Sequence, residues 1–235
     1  MNNISKWIKD YTQDKTLVIG VSGGIDSAVT STLCAETGLQ TLVINIAIDS
    51  NPDNQSLAGD HIEWLLNKYD NVECIYIDLT DTFNQFKSDV SGNNDLALAN
   101  TKSRLRMVAL YYIATVNNGL VVGTGNKVED FGVGFFTKYG DGGVDISPIA
   151  NLYKSEVREL AEKFEIIQEI ISAKPTDGLW EDGRTDEDQI GVSYEELEKV
   201  MQGTSTNKEA IEIYENFHSK NKHKMVEIPV YKGDL

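Results

Sequence analysis

Thr16-Leu17-Val18-Ile19-Gly20-Val21-Ser22-Gly23-Gly24-Ile25-Asp26-Ser27 joins an apolar run to a segment, 25–37, whose apolar residues recur at helical spacing until Gly38 stops it. A strand, a glycine turn and a helix in that order bring backbone N–H groups and a helix N-terminus onto one negatively charged group. Ser22 and Ser27 add hydroxyl donors. Asp26 puts a carboxylate where phosphate is expected, which makes chemical sense with a cation between them, and Mg²⁺ bridges such oxygens. The same residues also read as a plain glycine turn with a capping aspartate.

Rival motifs fare worse. G-x-x-x-x-G-K-[ST] is absent, and no G-x-G-x-x-G follows a strand. Gly20-Val-Ser22-Gly-Gly24 does satisfy G-x-S-x-G, with His218 or His223 available as a base. A nucleophile elbow draws its second oxyanion N–H from an earlier strand-to-helix loop, however, and only one short strand precedes Ser22. The hydrolase reading is the weaker one.

The 235 residues suit one α/β domain spanning 1–235, and 25% charged with 40% hydrophobic residues excludes wholesale disorder. A net charge of −16 argues against nucleic-acid partners and anionic membrane surfaces, so a phosphate-rich ligand needs local cations and metal. Cys34 and Cys74 lie apart in apolar segments and read as reduced. The N-terminus lacks a basic then apolar leader, and no run approaches 18 apolar residues; a soluble cytoplasmic protein is expected.

Along the chain, 2–13 reads as an amphipathic helix covering the sheet, and apolar runs at 41–47, 72–77 and 120–124 as further strands. Between them, 49–55 reads as a loop, 56–69 and 80–90 as helices, and 96–117 as a long helix with Leu98, Leu105, Val108, Tyr112 and Thr115 on its apolar side. Lys102, Arg104 and Arg106 interrupt that helix and read either as solvated or as ligand contacts. Alternating strands and helices predict a parallel sheet with helices on both faces and ligands at the carboxyl ends of the strands, where Ser22, Asp49, Asp78 and Thr124 fall. A helix is expected from Asn126, and the glycine-rich 135–145 reads as a binding loop. Lys154, in the first turn of a helix over 153–164, opposes the helix dipole unless an anion lies nearby. The stretch 173–192 reads as a lid, Ser193…Glu196 and Thr206…Glu209 as capping boxes, and 220–225 as a basic cluster in an acidic protein.

The S-G-G-x-D-S run resembles the pyrophosphate loop of the N-type ATP pyrophosphatases. Asn100-Thr-Lys-Ser-Arg-Leu-Arg-Met107, Gly123-Thr-Gly-Asn126, Gly134-Phe-Phe-Thr-Lys-Tyr-Gly-Asp-Gly-Gly143, Lys174-Pro-Thr-Asp177, Asp186-Glu187 and His223-Lys224 follow in the order seen in NAD synthetases. The resemblance spans essentially the whole chain and implies an adenine nucleotide alpha hydrolase-like (Rossmann-like) three-layer sandwich. It implies that Gly20, Val21, Ser22, Gly23, Gly24, Ile25, Asp26 and Ser27 hold ATP phosphates, that Thr124, Lys154 and Thr176 contact ATP, and that Asp26 and Glu129 ligate Mg²⁺. Asp26, Lys154 and Asp141 would be catalytic. Arg104, Lys138, Asp145, Asp177, His223 and Lys224 would hold deamido-NAD, with Lys138 and the tail reaching the partner's site in a homodimer.

Two departures stand out. One residue more than the family pattern lies between Thr124 and Gly134, so the metal carboxylate is Glu129 counted forward and Asp130 counted backward. The stretch 46–50 lacks the arginine many relatives carry. The implied reaction is ammonia-dependent: the nicotinate carboxylate attacks the α-phosphorus of ATP, and ammonia displaces AMP from the acyl adenylate, with no side-chain nucleophile. No stretch is long enough for a glutamine amidohydrolase domain. A nucleotide-binding sensor, the alternative without catalysis, leaves Asp26, Lys138 and the basic tail without a role.

Overall fold

The computed structural model describes residues 1–49, 52–92, 94–176, 178–180 and 183–233. Four strands, β1 (Thr16–Gly20), β2 (Thr41–Ala47), β3 (Val72–Asp78) and β4 (Gly119–Val121), form a parallel sheet in the order β3-β2-β1-β4. Leu17 pairs with Thr41 and, on the other side, with Leu120. The chain moves one way from β1 to β2 and β3 and then returns to place β4 on β1's other flank. That reversal opens a crevice at the carboxyl ends of β1 and β4, where ligands settle in such sheets.

Side-chain alternation along β1 separates two cores. Leu17, Ile19 and Val21 face α2 (Ile25–Glu36), α3 (Pro52–Lys68), α6 (Lys154–Lys163) and α7 (Gln168–Ser172). Val18 joins Leu42, Ile44 and Ile46 on the opposite face, under α4 (Thr80–Asp89) and α5 (Asp95–Val116). The expected three layers are present. Ten of twelve residues of α2 are buried, so this helix is walled in and cannot drift from the glycine turn that starts it.

Several expectations shift. Asn2 caps α1 (Asn3–Thr12), which sends Ile8 into the core that also holds Leu17 and Ile19 and is tied to α2 through Ser5, Lys9, Glu36 and Thr37. Helix α3 starts at Pro52, favoured in a first turn, and shortens the expected 49–55 loop; Ser50 lies outside the described residues. Strand β4 stops at Val121, and Val122 makes a lone bridge to Ile146. In α5, Ala99, Lys102, Ser103, Met107, Leu110 and Ala114 are buried while Val108, Tyr112 and Val116 face out. Of the expected apolar side, Leu98 and Leu105 do pack against the core, whereas Val108, Tyr112 and Thr115 face out and Met107, Leu110 and Ile113 fill the contact with the sheet instead. Lys102 is therefore not solvated: its stem is buried and its ammonium lies 5.1 Å from the Phe83 ring centroid.

Past the sheet come α8 (Asp186–Ile190), α9 (Tyr194–Met201) and α10 (Lys208–Met225). They pack through Val128, Val133, Ile190, Tyr194 and Leu197 into a small third core. Ser193 caps α9, but Glu196 turns to Ser205 instead of closing a box, and Asn207 rather than Thr206 caps α10 because its amide oxygen reaches the N–H groups of Glu209 and Ala210. The reciprocal box occurs at Thr185 and Asp188, within the stretch read as a structureless lid.

Candidate active site

The glycine turn is built by its own neighbours. Gly23 takes a left-handed φ of 86°, and Ser27 Oγ donates to the Gly24 carbonyl at 2.8 Å while accepting the Ser22 N–H at 3.2 Å. Ser27 is thus a buried brace of the turn, and Ser22 is the exposed hydroxyl. No side chain caps the first turn of α2, so its N–H groups remain for an anion.

Beside this turn the Lys154 ammonium pairs with Asp26 Oδ2 at 2.5 Å and lies 3.5 Å from Glu129 Oε1. Lys154 is 2% exposed, against 18% and 16% for the two carboxylates, and all three line one cavity. Burial alone would lower the lysine's pKa, but Asp26 and Glu129 more than offset it and hold the group charged. Burial pushes the Glu129 carboxyl up against the pull of the Lys154 ammonium, and the Asp26 charge adds to the push. Such a site is short of positive charge. Among the described residues no three His, Cys, Asp or Glu side chains gather closely enough to hold a metal alone. Two carboxylates completed by phosphate oxygens are a usual Mg²⁺ environment, so these residues fit that ion.

The extra residue before Gly134 is absorbed as a π-helix, Val128–Val133, in place of the expected α-helix. This separates the two carboxylates left open by counting. Glu129 joins Lys154 and Asp26, whereas Asp130 packs against Gly125, where any Cβ would strike its carboxylate. Burial first, then Glu129, Asp141 and Asp26, push the Asp130 carboxyl up to about 8.

A cavity of about 600 Å³ opens over this centre. Its walls include the glycine turn, Thr124, Glu129, Asp141, Lys154 and Thr176, with Arg106, Lys174, Lys220 and Lys224 adding positive charge. The glycine-rich loop is pinned on α5: Thr137 donates to Asn100 at 2.7 Å, and Asp141 accepts from Ser103 Oγ at 2.6 Å. Helix α10 holds the loop's other edge. His218 meets the Gly132 carbonyl, Asn221 donates to Val133, and Lys224 donates to Gly134 and Phe136 at 2.6 and 2.7 Å.

An adjoining cavity contains Arg104, Lys138 and Lys224. Lys138 Nζ donates to the His223 carbonyl, and Arg104 Nε to the Lys138 carbonyl, both within the chain. The structure does not bring Asp145 and His223 to either cavity: Asp145 accepts from Val121 N–H at 2.8 Å and from Tyr111, tying down the end of β4. Asp49 and Asp78 are likewise outside; Asp78 caps the start of α4. Asp177 lies outside the described residues. Tyr194, buried, donates to Glu129 Oε1 at 2.6 Å, a role that the sequence pattern of a helix start does not announce. The one available signal was a large aromatic with a hydroxyl next to a cap.

A family model described as NAD synthase matches residues 1–232. The NH(3)-dependent NAD(+) synthetase of Thermoplasma acidophilum is 37% identical over 95% of this chain and 93% of its own. Among solved structures, the NMN synthetase of Francisella tularensis superposes with a TM-score of 0.90 at 34% identity, covering 98% of this chain and 96% of its own. The NH3-dependent NAD synthetase of Campylobacter jejuni, in complex with nitrate, superposes with a TM-score of 0.78 at 26% identity over 99% of this chain and all of its own.

Proposed function

The chain belongs to the NAD synthase family, and on that premise we infer that its cavity amidates deamido-NAD to NAD with ammonia and ATP, releasing AMP and pyrophosphate. It is a ligase that forms a carbon–nitrogen bond. The observation that carries this reading is the buried Lys154 held between Asp26 and Glu129 beside an uncapped helix start.

The nicotinate carboxylate oxygen attacks the α-phosphorus, the bond to the bridging oxygen breaks, and pyrophosphate leaves into the N–H groups of the glycine turn. Lys154 neutralises charge that grows on the α-phosphoryl oxygens. Bound through Asp26 and Glu129, Mg²⁺ would supply Lewis-acid charge neutralisation to the same phosphates. Ammonia then attacks the acyl carbon, AMP departs with the former carboxylate oxygen, and the nitrogen gives up a proton. Thr124 and Thr176 are proposed as further ATP contacts; Arg104, Lys138 and Lys224, in the adjoining cavity, are the proposed anchors of the pyridine nucleotide.

We also propose a homodimer with sites completed across the interface, a single domain and a cytoplasmic setting. Support for the dimer comes from the outward stripe of Val108, Tyr112 and Val116 beside exposed Tyr139. No described helix is long and apolar enough to cross a membrane.

The likeness to an NMN synthetase favours a second reading of the acceptor, in which nicotinate mononucleotide replaces the dinucleotide while the chemistry at the carboxylate is unchanged. Incubation with ATP, Mg²⁺ and ammonium plus either acceptor, with AMP and amide quantified, tests both. Amide and AMP in equal amounts are expected, and the larger kcat/KM identifies the acceptor. Absence of AMP formation with either would overturn the proposal.

A further inference from the structure

Two residues of α9 stand one turn apart on a single helix face and hold two of the three members of the ionic centre, Glu129 directly and Lys154 through its neighbour. Tyr194 is 1% exposed, and its hydroxyl donates to Glu129 Oε1 at 2.6 Å, with Asp186 Oδ2 at 3.4 Å. The Lys154 ammonium lies 4.8 Å from its ring centroid. Glu198, 8% exposed, accepts from both the N–H and the hydroxyl of Ser155, at 3.0 and 2.7 Å, and so fixes the start of α6, where Lys154 is the first residue. The backbone N–H of Tyr194 donates to Glu187 at 2.9 Å, which ties α8 to the same point.

Core packing alone does not account for this arrangement. Phenylalanine would fill the same space among Val128, Val133, Ile190 and Leu197 without a buried hydroxyl that needs a partner. That partner is a carboxylate on the cavity wall, and Tyr194 itself is not among the cavity's lining residues. Lys154 and Tyr194 fall on the same oxygen of Glu129, so two donors from different helices define how its carboxylate is turned.

We propose that Tyr194 is a positioning residue for Glu129, fixing that carboxylate to receive the divalent cation that accompanies ATP, and that Glu198 does the same for Lys154 through Ser155. The inference rests on the proposed function, because it takes Glu129 as a ligand of the nucleotide's metal. Outer partners of metal ligands govern affinity by about 10–100-fold.

The test is Tyr194→Phe in the full chain, measured by EPR titration of Mn²⁺ in the presence of a non-hydrolysable ATP analogue, alongside kcat, KM and thermal melting. The expected result is at least a tenfold weaker Mn²⁺ site, a lower kcat partly recovered by raising Mg²⁺, an unchanged KM for the pyridine nucleotide, and a melting temperature within a few degrees of the parent. Glu198→Gln is expected to lower kcat and leave the Mn²⁺ affinity within twofold. Parental Mn²⁺ affinity in Tyr194→Phe, or a variant that loses its fold, would overturn the inference and leave the proposed function standing. A parent chain that fails to bind Mn²⁺ with the analogue would remove the metal reading of Asp26 and Glu129 itself.

Discussion

Ser22, Gly24 and Ser27 find their partners within five residues of one another, whereas Asp26 meets Asn126 and Lys154 across 100 and 128 positions, and Tyr194 meets Glu129 across 65. The glycine turn is a local object: a strand, a left-handed glycine and a helix already buried in the largest core specify it. The ionic centre exists only when α2, the π-helix, α6 and α9 are all in place, and two of those lean on the small third core. Under the proposed function, the turn that receives pyrophosphate and the centre that neutralises the α-phosphoryl group therefore depend on different parts of the fold, and they can be broken separately.

The sharpest way to separate them is Asp26→Asn, which keeps the turn and removes the charge that faces Lys154. Turnover is expected to fall about 10²–10³-fold, the usual cost of a transition-state electrostatic contact, with the fold retained. Glu129→Gln should follow it and Asp130→Asn should not, since the π-helix turns only Glu129 to Lys154. Equal losses at 129 and 130, read from kcat, would undo that distinction.

Acid acts on the local half. His61 is fully buried between α2 and α3 with Nε2 2.9 Å from Ser31 Oγ, and burial lowers its pKa from 6.5 to about 4. The folded chain refuses a proton that the unfolded chain accepts between those values. Stability attributable to this group is therefore full above pH 6.5 and is lost as pH falls toward 4, by about 3 kcal/mol at most. Urea melts of the parent and His61→Gln at pH 7 and 5 should show the smaller pH dependence in the variant; parallel curves would contradict it.

Gly23→Ala forces a side chain into φ 86° and is expected to cost about 1–2 kcal/mol and weaken ATP binding, leaving the pyridine nucleotide's KM unchanged. At the distant end, Asn207→Ala removes the cap of α10 at a cost of about 1 kcal/mol. Because His218, Asn221 and Lys224 hold the glycine-rich loop from that helix, the expected signature is the reverse, a raised KM for the pyridine nucleotide with ATP binding kept. Calorimetric binding of each substrate checks both variants.

The same division explains what could be read from the sequence. The first strand, the glycine turn, its helix and the parallel order follow from periods of two and 3.6 residues and from glycine's conformational freedom, all short-range. Asp26 was legible because it lies inside that stretch. Which of Glu129 and Asp130 meets Lys154 was not, because the effect of a one-residue insertion shows only in how a helix absorbs it, and that depends on Gly125, Val128 and α10 packing around it. Helix α5 misled because both its sides carry apolar residues, and only the contact with β1 and β4 decides which is covered. Asp145 fits the pattern of a ligand residue, yet its carboxylate caps β4, a role visible only once the strand ends there. Tyr194 had no local mark, since a tyrosine at a helix start gains its meaning from a carboxylate 65 positions earlier.

The measurement closest to the central claim follows one atom. With the acceptor's carboxylate labelled by ¹⁸O, attack on the α-phosphorus followed by displacement with ammonia must leave one labelled oxygen in AMP and none in pyrophosphate. Mass spectrometry of the products is expected to show AMP heavier by one ¹⁸O for every amide formed. Label appearing in inorganic phosphate alongside ADP, or unlabelled AMP, would contradict an adenylating centre built from Asp26, Glu129 and Lys154.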